Sequence, residues 1–255
     1  MLELKNVSVT HKSVRGRKRA GLVDVSLKLP KKGLVFVTGP SGSGKTTLLN
    51  VLASNLAPTK GEVLIDGVSH TNFSKTDLAG FRNTYTGSVF QTSNFIEHMT
   101  LEQNVRLALE LRGKPQTSEQ RKNQESYIKE LFTKLGISGL EKNLPAEVSG
   151  GQLQRASIAR ALVTRPKLLF ADELTSNLDD ENRDEIYKIL KTLSTDILVL
   201  AVTHDKQPVA KHADRVVKMD GGKITCTGVT DISPSSSKKE KQGRPEFQYI
   251  KTNRR

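Results

Sequence analysis

The sequence predicts an α/β fold with an inserted helical lobe, and three stretches carry that prediction. The stretch "LLFADE" at 168–173 is an apolar run that stops at two carboxylates, which is typical of a strand buried in a parallel sheet. The stretch "VFVTGPSGSGKTTLL" at 35–49 has the pattern of a strand, a glycine-rich loop and a helix. From about 100 to 145 the pattern is helical, so it interrupts an α/β alternation as an inserted lobe would.

The remaining elements follow from apolar periodicity and turn residues. Strands are predicted at 2–9, 22–29, 34–38 and 60–67, and a helix begins near Lys45, where Leu48, Leu52 and Leu56 recur at four-residue spacing. In the helical stretch one face carries Ile128, Leu131, Phe132 and Leu135, which we interpret as core packing. Further on, helices are predicted at about 150–164 and 181–193, a strand at 197–202, and a last strand pair around "DRVVKM" and "GKITCTG".

Domain limits follow from where the apolar pattern stops. We predict one domain over 1–231, with its helical subdomain at about 95–165. From 232 to 255 the chain loses apolar periodicity, which favours a basic flexible tail or a linker.

The net charge of +13 is concentrated in two short stretches, 11–19 and 238–255, each of which carries a net charge of +5. Solvated loop or tail is the simplest interpretation, and anionic lipid headgroups or nucleic acid are the alternatives. Aromatic residues make up only 5% of the chain and do not alternate with these charges, which disfavours nucleic acid as a partner. Cys226 is the one cysteine, which excludes an internal disulfide and fits a reducing compartment.

Neither a membrane span nor a secretory leader is predicted. The longest apolar runs, such as "ILVLAV" at 197–202, are far shorter than the roughly 18–20 residues that cross a bilayer. The first ten residues, "MLELKNVSVT", also lack the basic cap and apolar core of a secretory signal.

The glycine-rich loop predicts a phosphate site. Gly39, Gly44, Lys45 and Thr46 match G-x-x-x-x-G-K-[ST] between a strand and a helix. In such a loop the backbone N–H groups and the helix N-terminus surround phosphate oxygens, the lysine reaches the terminal phosphates of ATP, and the threonine hydroxyl binds Mg²⁺. An incidental Gly/Ser turn is the alternative. The predicted nucleotide-binding residues of this loop are Gly39, Pro40, Ser41, Gly42, Ser43, Gly44, Lys45, Thr46 and Thr47.

The two acids of "LLFADE" complete a catalytic hypothesis. Mg²⁺ prefers hard oxygen ligands, so Asp172 at a neighbouring strand tip is its expected second protein contact. Glu173, one residue further, is placed to polarise a water for attack on the γ-phosphate. The alternative is a strand that simply ends in polar loop.

Two polar residues in loops or at strand ends extend the predicted site. His204 follows "ILVLAVT" and has a ring nitrogen that could touch the γ-phosphate or orient the water. Gln91 in "SVFQTSN" has an amide that serves both metal and water. Taken singly, each is more often an ordinary loop residue.

The stretch "VSGGQLQR" at 148–155 has a structural and a functional interpretation. Ser149 and Gln152 form a capping box that any helix start could use. Gly150 and Gly151 add open backbone N–H groups, which predicts a second anion site.

The phosphate loop, Gln91, "SGGQ", "FADE", "SNLD" and His204 come in an order and spacing that resembles the nucleotide-binding domain of ATP-binding cassette (ABC) proteins. The resemblance covers about residues 2–228. It implies a P-loop NTPase core, an antiparallel β subdomain and a helical subdomain, with ATP and Mg²⁺ as cofactors. It also implies a head-to-tail dimer of two copies with two composite ATP sites. In that dimer Ser149, Gly150 and Gly151 contact the γ-phosphate of the partner's ATP, Gln152 completes the same motif, and Asp179 communicates across the interface.

Within the family the motifs look most like the branch of lipoprotein-releasing, macrolide-efflux and antimicrobial-peptide-resistance transporters. That similarity implies a membrane permease, as a separate subunit or a fused domain, and a location at the cytoplasmic face of the cell membrane. It predicts an exporter, with "FIEHMT" at 95–100 as the permease contact. The alternatives are a regulator of a cell-wall or division partner, and a soluble ATPase that acts on nucleic acid or ribosomes.

Three positions depart from the family pattern. Leu174 stands where the family usually has proline after the glutamate, which predicts a looser loop around Glu173 and slower hydrolysis. Ser176 replaces a glycine that is common in this branch. His11 takes the approximate place of an aromatic residue that stacks on adenine, and it offers less surface for stacking.

Overall fold

The structure is a computed structural model that describes residues 2–12, 18–71, 73–90, 94–112, 117–176 and 178–229. The tail predicted at 232–255 and most of the basic stretch at 11–19 lie outside the described residues, and the limits 1–231 stay a prediction. Within the described ranges no helix is both long and apolar enough to cross a bilayer.

Ten strands and seven α-helices make up the described fold. The strands are β1 (Leu2–Lys12), β2 (Lys18–Leu29), β3 (Gly33–Thr38), β4 (Lys60–Ile65), β5 (Val68–Ser69), β6 (Thr86–Val89), β7 (Leu168–Asp172), β8 (Leu198–Val202), β9 (Arg215–Asp220) and β10 (Lys223–Val229). The helices are α1 (Lys45–Leu52), α2 (Lys75–Tyr85), α3 (Leu101–Glu110), α4 (Ser118–Lys134), α5 (Gly150–Leu162), α6 (Asp180–Leu193) and α7 (Lys206–His212). A short 3₁₀ turn, Pro145–Glu147, precedes α5.

The central sheet has the order β10-β9-β3-β8-β7-β6, and all its pairs are parallel except β9 with β10. Val202 in β8 is in register with both Val37 in β3 and Asp172 in β7. The three strands therefore end side by side, and the loops that follow them meet at one edge of the sheet.

The central sheet is buried on both faces, as its continuous apolar strands predicted. Leu34 and Phe36 of β3 pack into a core formed with α3 to α7, while Val35 and Val37 pack into a second core against α1 and the other sheet. That other sheet, β2-β1-β4-β5, is antiparallel throughout. The α/β fold class with an antiparallel β subdomain and an inserted helical subdomain is thus confirmed.

The predicted helical stretch at 100–145 contains two helices, α3 and α4, and a loop. Ile128, Leu131, Phe132 and Leu135 are buried, as their spacing predicted. Helix α1 is shorter than expected, because Ser54 adopts a left-handed φ of 58° directly after its end, and Leu56 lies beyond the helix. The sequence analysis missed α2, α7 and the short strands β5 and β6.

Asn104, which is only 2% exposed, shapes the loop that precedes α3. Its Oδ1 accepts from the Ile96 N–H at 2.8 Å, and its Nδ2 lies within 3.1 Å of the carbonyl oxygens of Ile96, Met99 and Thr100. One buried side chain thereby pairs with four backbone groups of the loop, which fixes the path of the loop into α3.

Replacing Asn104 by alanine should lower the free energy of unfolding by roughly 2–4 kcal/mol, because the loop loses all the hydrogen bonds of this buried amide at once. Chemical denaturation measures the loss, and Asn55→Ala, at an exposed asparagine, is the control with an expected change within about 0.5 kcal/mol. Equal stability of the two variants would contradict this role for Asn104.

Candidate functional site

The loop between β3 and α1 wraps tightly, and its glycines are required by geometry. Gly39 has a φ of 152°, and a Cβ there would lie 2.2 Å from the Met219 carbonyl oxygen. At Gly44, with a φ of 102°, a Cβ would lie 2.5 Å from the Gly21 carbonyl oxygen. The backbone can take this path only without side chains at both positions.

Lys45 and Ser43 carry the polar groups inside this loop. The Lys45 ammonium donates to the carbonyl oxygens of Gly39 at 2.9 Å and Pro40 at 3.0 Å, so it lies across the mouth of the cradle. Burial lowers the pKa of Lys45, and the nearby carboxylates of Glu173 and Asp172 oppose that shift. The Ser43 hydroxyl is buried and has no hydrogen-bond partner among the described residues. A cationic loop with an unsatisfied buried donor fits an anionic phosphate.

Asp172 ends β7 next to the start of α1. The Thr46 side chain is close enough to lower the pKa of the Asp172 carboxyl, so a threonine hydroxyl and a carboxylate lie together at the phosphate loop. Burial raises the pKa of Asp172 and the Glu173 carboxylate raises it further, while Thr46 and Lys45 act in the opposite direction. Burial and the neighbouring Glu173 carboxylate therefore disfavour the ionised form of Asp172.

Glu173 and His204 meet at the ends of β7 and β8. The Glu173 Oε1 atom lies 2.7 Å from the His204 Nε2 atom, and both side chains are partly exposed to the cavity. Glu173 has a φ of 49°, in the left-handed region, and its N–H donates to the Val202 carbonyl oxygen at 3.2 Å. A strained backbone held at a functional position is a common feature of active sites.

One cavity of about 440 Å³ brings together nine of the predicted site residues. Its walls come from the phosphate loop, from the two strand-end residues Glu173 and His204, and from the β1–β2 hairpin. The lining residues are His11, Arg19, Ala20, Gly21, Ser41, Gly42, Gly44, Lys45, Thr46, Thr47, Glu173 and His204. Gly39 and Pro40 line a neighbouring cavity that also includes His204. Ser43 is buried within the loop, and Asp172 lies beside Thr46.

His11, which is predicted to stack on adenine, lies against α1, the helix that follows the phosphate loop. Its Nε2 atom is 3.2 Å from the Thr47 hydroxyl, and its ring fills the space that a side chain at Gly21 would take, since a Cβ there would lie 2.5 Å from Nε2. The imidazole edge is thus directed at α1, and adenine stacking by His11 stays a prediction.

Sequence reasoning missed Arg19 as a cavity residue. One of its guanidinium nitrogens would lie 3.1 Å from a Cβ at Gly42, so its cation lies over the phosphate loop. No local sequence pattern marked this role, because Arg19 reaches the loop only through the pairing of β1 with β2, in which it is the register partner of His11.

The motif at 149–152 does not line this cavity. The capping box is confirmed, with Gln152 N–H donating to the Ser149 hydroxyl at 3.2 Å and Ser149 N–H donating to Gln152 Oε1 at 2.9 Å. Gly150 is exposed, as expected for an open anion site. Gly151 differs from that expectation, because it is buried and a Cβ there would lie 2.5 Å from the Asn182 Oδ1 atom.

Asp179 connects this motif to α6. Its carboxylate caps α6 by accepting from the Asn182 backbone N–H at 2.8 Å, and it also accepts from the Asn182 side-chain amide. These bonds hold the pKa of Asp179 below its usual value. Asn182 therefore lies between Asp179 and Gly151, and the two parts of the predicted interface form one packed unit.

The loop after Glu173 has more support than the missing proline suggested. Leu174 is buried in the apolar core with 6% exposure. The Ser176 hydroxyl donates to the Glu173 carbonyl oxygen at 3.1 Å. The looser loop and the slower hydrolysis predicted from the missing proline both stay predictions. Gln91 and the Asn177 of "SNLD" lie outside the described residues.

The side-chain oxygens of Thr46 and Asp172 fit a Mg²⁺ ion that also binds phosphate and water. No cluster of three or more His, Cys, Asp or Glu side chains that could hold a metal occurs in the described part of the chain. Thr46 and Asp172 instead offer two hard oxygen donors beside a phosphate cradle, which suits an ion that keeps waters and takes phosphate oxygens as further ligands.

Comparison with known proteins yields a consistent set of relatives. Residues 22–176 match the family profile described as ABC transporter. A methionine import ATP-binding protein of Rhodopseudomonas palustris is 39% identical over 82% of this chain, and the matched region is 55% of that relative's length. An uncharacterized ABC transporter ATP-binding protein of Methanocaldococcus jannaschii is 36% identical over 88% of this chain and 97% of its own. The ABC transporter ATP-binding protein YxdL of Bacillus subtilis is 37% identical over 88% of this chain and 85% of its own.

Solved structures agree with these relatives. A dimeric structure of MJ0796, a bacterial ABC transporter cassette, superposes with a TM-score of 0.78 at 32% identity, over 90% of this chain and 98% of that one. A post-hydrolysis state of the same cassette, bound to ADP and phosphate, gives a TM-score of 0.79 at 31% identity.

Asp172→Asn should raise the melting temperature of the nucleotide-free protein at pH 7 by roughly 2 °C. The folded protein raises the pKa of Asp172 above its ordinary 3.8, so this group favours folding below pH 3.8 and loses that contribution as the pH rises through the raised value. At neutral pH the charged form destabilises the empty fold, and asparagine removes that charge.

Thermal scans from pH 8 down to pH 4 check the sign, because the gain from Asp172→Asn should shrink as the wild-type carboxyl becomes protonated. Glu62→Gln, at an exposed carboxylate on β4, is the control. A lower melting temperature of Asp172→Asn at pH 7 would contradict the assignment.

Proposed function

The chain belongs to the ABC transporter family as an ATPase subunit, and we propose that it hydrolyses Mg²⁺-bound ATP at the cavity between β3, β7 and β8 to drive a membrane permease. The observation that carries this proposal is the meeting of three features at one edge of the central sheet, around one cavity. They are a phosphate loop with a buried lysine, a Thr46–Asp172 pair of oxygen donors, and the Glu173–His204 pair.

The proposed reaction uses the residues in distinct roles. The loop N–H groups and Lys45 bind the β- and γ-phosphates, and Thr46, Asp172 and Gln91 hold Mg²⁺, which neutralises phosphate charge when bound. Glu173 accepts a proton from the attacking water, the bond from the γ-phosphorus to the bridging oxygen breaks, and ADP and phosphate result. His204 holds the Glu173 carboxylate at 2.7 Å and thereby fixes the direction in which it accepts the proton.

A second copy of the chain completes the proposed site. Ser149 and Gly150 are exposed at the start of α5 and lie outside the cavity of their own chain. The N–H groups of this helix terminus suit a phosphate held by another copy. The dimeric structure of the related cassette MJ0796 supports this arrangement.

The proposed permease contact is the loop 95–100. Glu97 and His98 at its tip are exposed, while Phe95 lies under the Arg160 guanidinium at 4.5 Å from the ring centroid. Arg160 also donates to the Asn94 carbonyl oxygen at 2.9 Å. Because Arg160 belongs to α5, whose first turn carries Gly150, a displacement of the loop would be passed directly to the helix that starts at the dimer interface.

Export stays a prediction from the motif similarity. The relatives give it no support, since one of them is a methionine import ATP-binding protein. The membrane location is likewise proposed through the permease.

Glu173→Gln should keep ATP binding but lower hydrolysis by roughly a hundredfold or more, since the amide cannot accept the water's proton. The variant should also accumulate as an ATP-bound dimer. Phosphate release measures turnover, and size-exclusion chromatography with light scattering measures the dimer.

Lys45→Ala separates binding from chemistry in the same assays, because it should lose ATP affinity itself and show no ATP-induced dimer. Unchanged hydrolysis by Glu173→Gln would show that Glu173 does not accept the water's proton. Normal ATP binding by Lys45→Ala would contradict the assignment of the phosphate loop.

The permease proposal is tested by a pull-down from detergent-solubilised membranes of the source cell, with the Glu173→Gln chain and ATP as bait. A polytopic membrane protein among the captured proteins supports the proposal, provided that Glu97→Lys/His98→Glu in the bait reduces its recovery. Recovery of ribosomal or nucleic-acid-binding proteins alone, in high salt, would overturn it.

A further inference from the structure

Tyr187 on α6 forms hydrogen bonds to two loops of the candidate site. Its side chain is 3% exposed. The hydroxyl lies 2.9 Å from the Thr175 hydroxyl and 3.1 Å from the Thr203 hydroxyl. None of the three residues belongs to the predicted site.

The two threonines are adjacent in sequence to the paired groups. Thr175 is two residues after Glu173, and Thr203 directly precedes His204. The loops that carry Glu173 and His204 are therefore joined in two ways. Glu173 and His204 lie 2.7 Å apart at the cavity, and behind them Thr175 and Thr203 are both hydrogen-bonded to the buried Tyr187 hydroxyl.

The hydrogen bonds form a directed chain. Tyr187 donates to the Thr203 hydroxyl oxygen, which also accepts from the Asp205 N–H at 3.1 Å, so the Thr175 hydroxyl is left to donate to Tyr187. Burial raises the pKa of Tyr187, so the phenol keeps its proton at neutral pH. The chain therefore keeps one arrangement over the physiological pH range.

The phenol ring itself is held by packing. It lies 5.6 Å from the Phe36 ring at a tilt of 54°, and it stacks on the His212 ring at 6.3 Å. Phe36 belongs to β3, so the hydroxyl is positioned relative to the central sheet and not only to α6. A hydroxyl placed this rigidly can fix the relative position of the two loops.

The strand-to-loop turn at Glu173 needs such support. Glu173 has a left-handed φ of 49°, and the residue that follows it is leucine, which leaves the next φ free. Leu174 anchors the turn through its apolar side chain, and Thr175 supplies the only side-chain hydrogen bond that the described structure gives to the buried side of this turn.

We propose that Tyr187 is a positioning residue for ATP hydrolysis, which sets the distance between Glu173 and His204 through Thr175 and Thr203. The inference rests on the roles proposed above for Glu173 and His204. It predicts an effect on the chemical step and none on nucleotide binding, because the Tyr187 hydroxyl lies behind the cavity and contacts none of the phosphate-loop residues.

Tyr187→Phe tests the proposal, since it removes the hydroxyl and keeps the ring. With the full chain, kcat should fall about tenfold while KM and the ATP dissociation constant stay within about twofold, because misplacement of a catalytic group affects the reaction and not ground-state binding. The number of nucleotide sites per chain is measured at the same time, so that turnover is expressed per competent site.

Tyr127→Phe is the matched control, because it removes a partly buried tyrosine hydroxyl from the helical lobe, far from the site in the fold.

Thr175→Val should reproduce the tenfold loss in kcat, and Thr175→Ser should keep most of the activity. The double variant Tyr187→Phe/Thr175→Val should be no worse than either single change. That pattern identifies one shared bond and not general damage to the fold.

The proposal is overturned if Tyr187→Phe hydrolyses ATP at the wild-type rate per site, or if the loss in kcat equals a loss in competent sites. It is also overturned if the double variant loses the product of the two single effects. A wild-type chain that binds no ATP in these assays would instead contradict the proposed function, so the two failures are distinguishable.

Discussion

The parallel register of β3, β8 and β7 is the constraint on which the site depends. Because Val37, Val202 and Asp172 align across the sheet, the phosphate loop, His204 and Glu173 leave the sheet at the same edge. Strands that lie parallel and are buried on both faces cannot slip by one residue without exchanging the apolar sets of the two cores. The distances in the site are thus fixed by the same packing that stabilises the fold.

The site concentrates features that are costly for the empty protein. Lys45 is almost fully buried with a lowered pKa, Asp172 has a raised pKa, and Glu173 adopts a left-handed backbone conformation. Each of these features becomes favourable or useful only when an anionic ligand and its cation are present. The cores on either side of the sheet supply the stability that keeps them in place.

Much of this arrangement could be predicted from the sequence, since local patterns determine it. The phosphate loop, the carboxylates at the end of β7 and the capping box at Ser149 each depend on a few consecutive residues. Helix α2 was missed because its sequence is mostly polar, although the box of Ser74 and Asp77 marks its start. Tyr187 and Arg19 could not be found this way, because their partners lie far away in the chain and only the tertiary fold brings them together.

The close packing of Gly151 against Asn182 restricts how the chain can vary in evolution. A side chain at 151 would collide with the Asn182 amide, and a larger residue at 182 would both press on Gly151 and release the Asp179 carboxylate. Positions 151, 179 and 182 can therefore change only together. Among homologous sequences they should covary, and a chain grafted with only one of the three from a distant relative would lose the contact between the start of α5 and the start of α6.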